Sequence, residues 1–477
     1  MEALWERLVQ WEKSGALPFH MPGHKRNRTL APYLDALSAG LDVTEIPGFD
    51  DLHAPEEILK LAMERAARLY GSEDAYFLVN GSTGGILAGI RAATRRGDRV
   101  LVARACHKAV YHALELCALQ PIYLQQDCLD EFACPASLAV EQVEEALGEH
   151  PDIRLVILTS PSYEGVCSDI PSIVEAAHRR GVPVFVDEAH GAHLGLGGGF
   201  PPGAVAAGAD LVVQSFHKTL PSLTQTAMLH RSGTLVSREE LTRQLGIFQT
   251  SSPSYLLLAS LEGCVSLLEQ RGEDLLQEWR GRLHRFDQGV HGLTHLRLLP
   301  GTERGVFARD PSKIVIGTKG SGMTGLALSQ RLRQEFGIQL EMAAQPYAIA
   351  MTGMGDTDQA MEKLKEALLT IDGSCQGEGD GTPLLELPLP KSCLSMEEAL
   401  TRPFRLCPWE EASEQLAAES IWAYPPGIPL VVPGEVISAA MLAALSQRKA
   451  VGVNLISTRG DLNQGIAVVD SDTFFAE

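Results

Sequence analysis

The sequence predicts an α/β fold with a doubly wound, mainly parallel sheet, and three observations carry that prediction. From Pro55 onward, short apolar runs alternate with amphipathic stretches of roughly a dozen residues, the pattern of parallel strands joined by crossover helices. Two of the runs, Val184-Phe185-Val186 and Leu211-Val212-Val213, are β-branched or aromatic and end in polar residues, as buried strands do. A glycine-rich turn, NGSTGG (Asn80 to Gly85), stands between an apolar run and a helical one.

Taken in order, residues 1–14 place Leu4, Trp5, Leu8 and Trp11 on one face of a helix that Gly15 ends. This helix lacks the continuous apolar core of a signal peptide. PFHMPGHKRN (Pro18 to Asn27) and DVTEIPGFDDLHAP (Asp42 to Pro55) are irregular and read as an arm folded over a site. Glu56 to Gly71 is an amphipathic helix, and Ala75 to Gly97 is a strand, the glycine-rich turn and a helix. RVLVARACHKAVYHALELC repeats that order with His107 at its turn; Ile153 to Gly165, SIVEAAHRRG and PVFVDEAHG continue it. Residues 255–292 form one long helix leading out of the large domain. Lys313 to Ile371 suggests a small α+β domain, Gly373 to Pro383 a flexible linker, and the remainder another small lobe. The division is therefore 1–54, 55–292, 293–372, 373–384 and 385–477.

Composition narrows the function classes. Asp and Glu number 60 against 40 Lys and Arg, a formal charge of -20, which disfavours nucleic acid or an anionic membrane as partner. No apolar stretch reaches the length of a membrane span. The 9 cysteines are scattered without a CxxC pair, as free thiols in a reducing cytoplasm are.

The chemistry centres on Asp187 and Lys218. Ligands of an open parallel sheet bind beyond the carboxyl ends of its strands, so both residues face one crevice. A carboxylate and an amine in that relation suit pyridoxal 5'-phosphate: the lysine forms a Schiff base with the cofactor aldehyde, and the carboxylate keeps the pyridine nitrogen protonated so that the ring accepts electrons. The N–H groups of the glycine-rich turn and the Ser82 and Thr83 hydroxyls suit a phosphate at a helix N-terminus. Ser215 and His217, just before Lys218, suit the same phosphate, and His107 is placed to stack on the ring. DEAH (Asp187 to His190) also suits a helicase metal box, but the GxxxxGK[ST] loop that reading needs is absent. His190 and His193 have no partner at familiar zinc spacing, so no metal is expected.

In combination, PGHKRN, DVTEIPGFDDLH, NGSTGG, CHKAVYHAL, TSPSYEG, VDEAHGAHLG, QSFHKTL, TSSPSYLLLASLE and YPPGIPLVVPGE resemble, in order, the Orn/Lys/Arg decarboxylases, in the short bacterial form without an N-terminal wing. The resemblance implies a fold type I pyridoxal-phosphate enzyme and decarboxylation of arginine, lysine or ornithine to an amine. It implies Lys218 as the cofactor lysine, Asp187 on the pyridine nitrogen, and His190 near the ring hydroxyl. It also implies a homodimer or higher oligomer with shared sites, in which the Thr250-Ser251-Ser252 segment reaches the partner subunit's phosphate. Gly427 and Glu435 would sit near the substrate entrance. The proton returned to Cα would come from His217 or Lys218. The cationic end of the substrate needs an acidic partner, for which Asp50, Asp51, Glu45 and Glu435 are the candidates. Transamination or β-elimination shares the same cofactor residues, and a non-catalytic cofactor-binding regulator is a third reading.

Overall fold

The computed structural model describes residues 13–37, 41, 43–301, 303–377, 385–424 and 427–470. The expected helix over residues 1–14 lies almost wholly outside the described residues, as does most of the expected linker.

The large domain is built on seven strands: β1 (Asp74–Leu78), β2 (Arg99–Ala103), β3 (Gln120–Leu124), β4 (Ile153–Thr159), β5 (Val184–Asp187), β6 (Leu211–Gln214) and β7 (Ala227–Arg231). Their spatial order is β1-β7-β6-β5-β4-β2-β3. Strands β2 to β6 pair in parallel, whereas β7 runs antiparallel to both β6 and β1. Strand β7 is an addition to the sequence-derived pattern: its run, AMLHR, is buried throughout, although it carries a histidine and an arginine.

Crossover helices cover the sheet, and glycines bring one of them into close contact with it. On the helix Gly81–Ala93, a Cβ at Gly85 would come within 2.5 Å of Leu78 Cδ1, and one at Gly89 within 2.5 Å of Phe185 Cε2. Glycine at both positions lets this helix settle onto β1, β5 and β6. The register sets Asp187 beside Val213 on one side and Thr159 on the other, so the carboxylate stands at the carboxyl edge of the sheet.

The helix Tyr255–Gly289 leads out of this domain, burying Leu258, Leu261, Val265, Leu268, Leu275, Trp279, Leu283 and Phe286 along one face. Beyond it, Arg297–Leu298, Lys313–Gly317, Tyr347–Met351 and Met342–Ala343 form an antiparallel four-stranded sheet, accompanied by helices Gly325–Phe336 and Asp358–Asp372. The N-terminal arm joins this small domain: Leu17–Phe19 pairs in parallel with Ile338–Leu340. A third core, around Cys407, Ile421, Val431, Met441 and Ile466, belongs to the C-terminal lobe. Among the described residues, no helix is long and apolar enough to cross a membrane.

Candidate active site

Strand β6 ends at Gln214, and the chain turns at once into a four-residue helix, Phe216–Thr219, that carries Lys218. Lys218 Nζ lies 2.8 Å from His190 Nε2, in the turn after β5. Burial lowers the Lys218 amine to about 8; Asp187 and Glu341 oppose that shift and Lys313 adds to it. Asp187 is 2% exposed and accepts a hydrogen bond from the Ala189 N–H at 3.1 Å. Burial raises its carboxyl pKa against the pull of Lys218.

Neutral rings surround this pair. Burial, reinforced by the positive charges of Lys218 and Lys313, holds His190 well below its usual range, and its ring tilts against Tyr163 at 4.6 Å. His107 caps the helix Lys108–Leu116 by accepting from the Ala109 N–H, and burial lowers its ring to about 3. His217 Nδ1 donates to the Thr226 carbonyl at 2.9 Å, and burial lowers it to about 4. Ser82 and Thr83 occupy the first turn of the helix Gly81–Ala93, half-buried and exposed respectively. No side chain caps that turn. Two buried polar atoms, Ser215 Oγ and His190 Nδ1, have no hydrogen-bond partner. Buried polar groups are rarely left so, which makes both atoms candidates to meet a polar ligand.

A carboxylate outside the sequence-derived candidates completes the crevice. Glu341, between the strands Ile338–Leu340 and Met342–Ala343, accepts from the Tyr163 hydroxyl at 2.6 Å and from the Met21 N–H at 2.9 Å. The arm that supplies Met21 lies over the site. Gly23 N–H donates to the His217 carbonyl at 2.7 Å, and the Met354 N–H to the Thr219 carbonyl at 3.0 Å. A Cβ on Gly23 would come within 2.4 Å of Thr219 C, so only glycine lets the arm reach the lysine-bearing helix. Lys25, 8% exposed, pins the arm by donating to the His20 and Met351 carbonyls, each at 2.7 Å.

Comparison with known proteins agrees with this geometry. Residues 2–300 match the major domain of the Orn/Lys/Arg decarboxylases, and residues 390–452 match their C-terminal domain. The chain belongs to the Orn/Lys/Arg decarboxylase family. It is 35% identical to YaaO of Bacillus subtilis (strain 168) over 93% of each chain, and 32% identical to an arginine decarboxylase of the same organism over 88% of each. The fold is that of the Francisella novicida lysine decarboxylase LdcF, with a TM-score of 0.76 at 18% identity over 98% of this chain and 84% of the other.

Of the candidate residues, this decarboxylase brings together Lys218, Asp187, His190, His107, Ser215 and His217. Gly427 also lies at the site, its carbonyl accepting from the Lys108 N–H at 3.0 Å beside the His107 ring. Glu435 requires a correction: it is 0% exposed and forms a two-pronged pair with Arg104 rather than facing an entrance. Asp50 is likewise engaged, as the acceptor for the Glu56, Glu57 and Leu59 N–H groups at the start of the helix Ile58–Tyr70. Asp51 accepts from the His53 N–H at 2.8 Å, and Glu45 is exposed. Thr250 is exposed within its own chain, its carbonyl 2.8 Å from His53 Nε2.

Proposed function

We propose that this decarboxylase acts on a basic amino acid, arginine first, with pyridoxal 5'-phosphate held between Asp187, Lys218 and the first turn of the helix Gly81–Ala93. The orphaned Ser215 hydroxyl and the uncapped turn bearing Ser82 and Thr83 fit a phosphate, with His217 beside them. The orphaned His190 nitrogen and the neutral His107 ring fit the remainder of the cofactor. When bound, the cofactor supplies an electron sink for the charge left as CO2 departs.

The chain's own residues do the rest. Asp187, sealed from water, would meet the pyridine N–H with a charge that burial makes effective. Lys218, lowered to about 8, is partly neutral near physiological pH and so can bond covalently to the cofactor. The same value suits it to return a proton from Nζ to the substrate Cα, whereas His217, tied to the Thr226 carbonyl and lowered to about 4, is a poorer donor. Glu341 faces the crevice as a ready partner for the substrate's cationic end, oriented by Tyr163 and by the arm.

Arginine stands first because the similarity to an arginine decarboxylase extends over 88% of both chains. A second copy would complete the site. Ile46, Phe49, Ile58, Leu61 and Ile247 are exposed on the single chain, and His53, in the segment that carries Phe49, meets the Thr250 carbonyl, so burial of these apolar side chains against a second copy would fit. The 9 free cysteines suit the reducing cytoplasm.

The single observation that carries the reading is the Lys218 amine, held 2.8 Å from His190 beside the buried Asp187 carboxylate. The test is an amine-product assay on arginine, lysine and ornithine, with Lys218→Ala as control. CO2 and amine in equal amounts, lost in Lys218→Ala together with the cofactor's visible absorption, is the expected result. Keto acid without amine would overturn it in favour of transamination.

A further inference from the structure

Beneath the crevice lies a charged cluster to which no part in the chemistry above is assigned. Asp310, Ser312 and Lys313, where the strand Lys313–Gly317 begins in the small domain, are each 0% exposed. Lys313 Nζ meets Asp310 Oδ2 at 2.5 Å and Ser312 Oγ at 3.0 Å, and donates to the His190 carbonyl. Asp310 Oδ1 accepts from the Ser312 N–H at 3.0 Å and lies 3.1 Å from Nε2 of the fully buried His193. The second ring nitrogen of His193 lies 3.2 Å from the Thr219 hydroxyl. Because a carboxylate only accepts, Nε2 carries the ring hydrogen, and Nδ1 accepts from Thr219.

Stability is a weak reason for such a pair, since apolar side chains of the same volume usually serve as well or better. Its placement gives a stronger one. Lys313 grips the backbone of His190, whose ring contacts the Lys218 amine. Asp310 reaches through His193 to Thr219, the residue that follows Lys218. Both branches start in the small domain; one ends at the Lys218 amine through the His190 ring, the other at the hydroxyl of Thr219, the next residue along the lysine-bearing helix.

We infer that Asp310 and Lys313 are positioning residues for the decarboxylation, an interdomain anchor that holds His190 and Lys218 in register with Asp187. The inference rests on Lys218 being the cofactor lysine.

The experiment compares the full chain with Lys313→Met and with the double variant Asp310→Asn/Lys313→Met, which leaves no unpaired buried charge. Three quantities are measured: kcat and KM on the basic amino acid that gives product, the thermal midpoint, and the pH midpoint at which an amine-selective reagent labels Lys218 in cofactor-free protein. Asp187, Glu341 and Lys313 are the charges facing Lys218, with the His190 and His107 rings beside them. Lys313→Met, which removes a positive neighbour, should raise the labelling midpoint by about one pH unit. The double variant removes a neutral unit, so its midpoint should stay near wild type while kcat falls at least about tenfold and KM changes little. Should Lys313→Met not fold, the double variant decides alone. A folded double variant with wild-type kcat overturns the inference. A double variant that cannot fold also overturns it, since the pair is then a folding element. Lys218→Ala separates the two readings: if it keeps cofactor and activity, the site assignment itself fails; if it loses both while the double variant is unimpaired, only the positioning role fails.

Discussion

Arg104 and Glu435, 331 positions apart, meet as a two-pronged pair at 2.8 and 3.0 Å, with the carboxylate wholly buried. Arg104 also donates to the Leu430 carbonyl and lies against the Tyr111 and Tyr123 rings; Glu435 also accepts from the Val432 N–H. Three residues after Arg104 comes His107, and the next N–H is bonded to Gly427. The pair therefore fastens the C-terminal lobe to the turn that presents His107.

Arg104→Met leaves Glu435 buried without its partner and should weaken this docking by about 3–5 kcal/mol, because a lone buried charge is costly. Hydrogen exchange over residues 427–437 reads the loss as faster exchange, while Arg104→Met/Glu435→Met should recover most of the protection. Unchanged exchange in the single variant would show that other contacts hold the lobe.

Glu341→Gln should raise KM for the basic amino acid about tenfold, the loss expected when a charge-assisted hydrogen bond becomes a neutral one, with kcat much less affected. Tyr163→Phe removes one of the two donors that orient Glu341 and should act in the same direction but less. If steady-state kinetics of both variants match wild type, the substrate cation binds elsewhere.

Lys218 also predicts a stability profile in the cofactor-free protein. Its amine loses a proton near pH 8 when folded but near its ordinary 10.5 when unfolded. Between those values the unfolded chain binds the extra proton, so stability rises with pH across that window. Measured by denaturant melts, wild type should gain on Lys218→Met from about pH 8 to about pH 10.5. A difference that stays flat, or that falls, contradicts the assignment.

Gly23→Ala should detach the arm from the lysine-bearing helix. The added methyl would meet Thr219 C at 2.4 Å and Leu220 N at 2.8 Å, both backbone atoms. A stability cost of about 1–3 kcal/mol is expected for such overpacking, with kcat falling as the helix shifts. Gly292→Ala, where nothing lies within 4 Å, is the control and should be silent in both thermal melts and turnover.

The residues of the candidate site differ in how far the sequence reveals them, and the difference is physical. Asp187 and Lys218 were legible because each follows a short buried strand, and the rules of parallel sheets then aim both at one crevice. Ser82, Thr83 and His107 were legible as βα turns. Glu341 was not, because it sits between two very short strands of the small domain, and the contacts that orient it come from residues 178 and 320 positions away. Glu435 and Asp50 were legible as carboxylates but not as engaged ones. The partner of Glu435 is an arginine in another domain, and Asp50 caps a helix across a loop whose conformation local propensity does not specify. Strand β7 is not legible because pairing on both sides, rather than its own composition, makes AMLHR a strand.

The pairing of Leu17–Phe19 with Ile338–Leu340, continued by the bond between Met21 and Glu341, also sets a clock on assembly. Met21 is synthesised 320 positions before Glu341, an interval on the order of tens of seconds on the ribosome. Throughout that time Phe19, which is 1% exposed in the finished fold, has no strand to pair beside. The earliest part of the site to be made is thus among the last to find its place, and a nascent chain halted before Ile338 would present this apolar arm to chaperones and proteases.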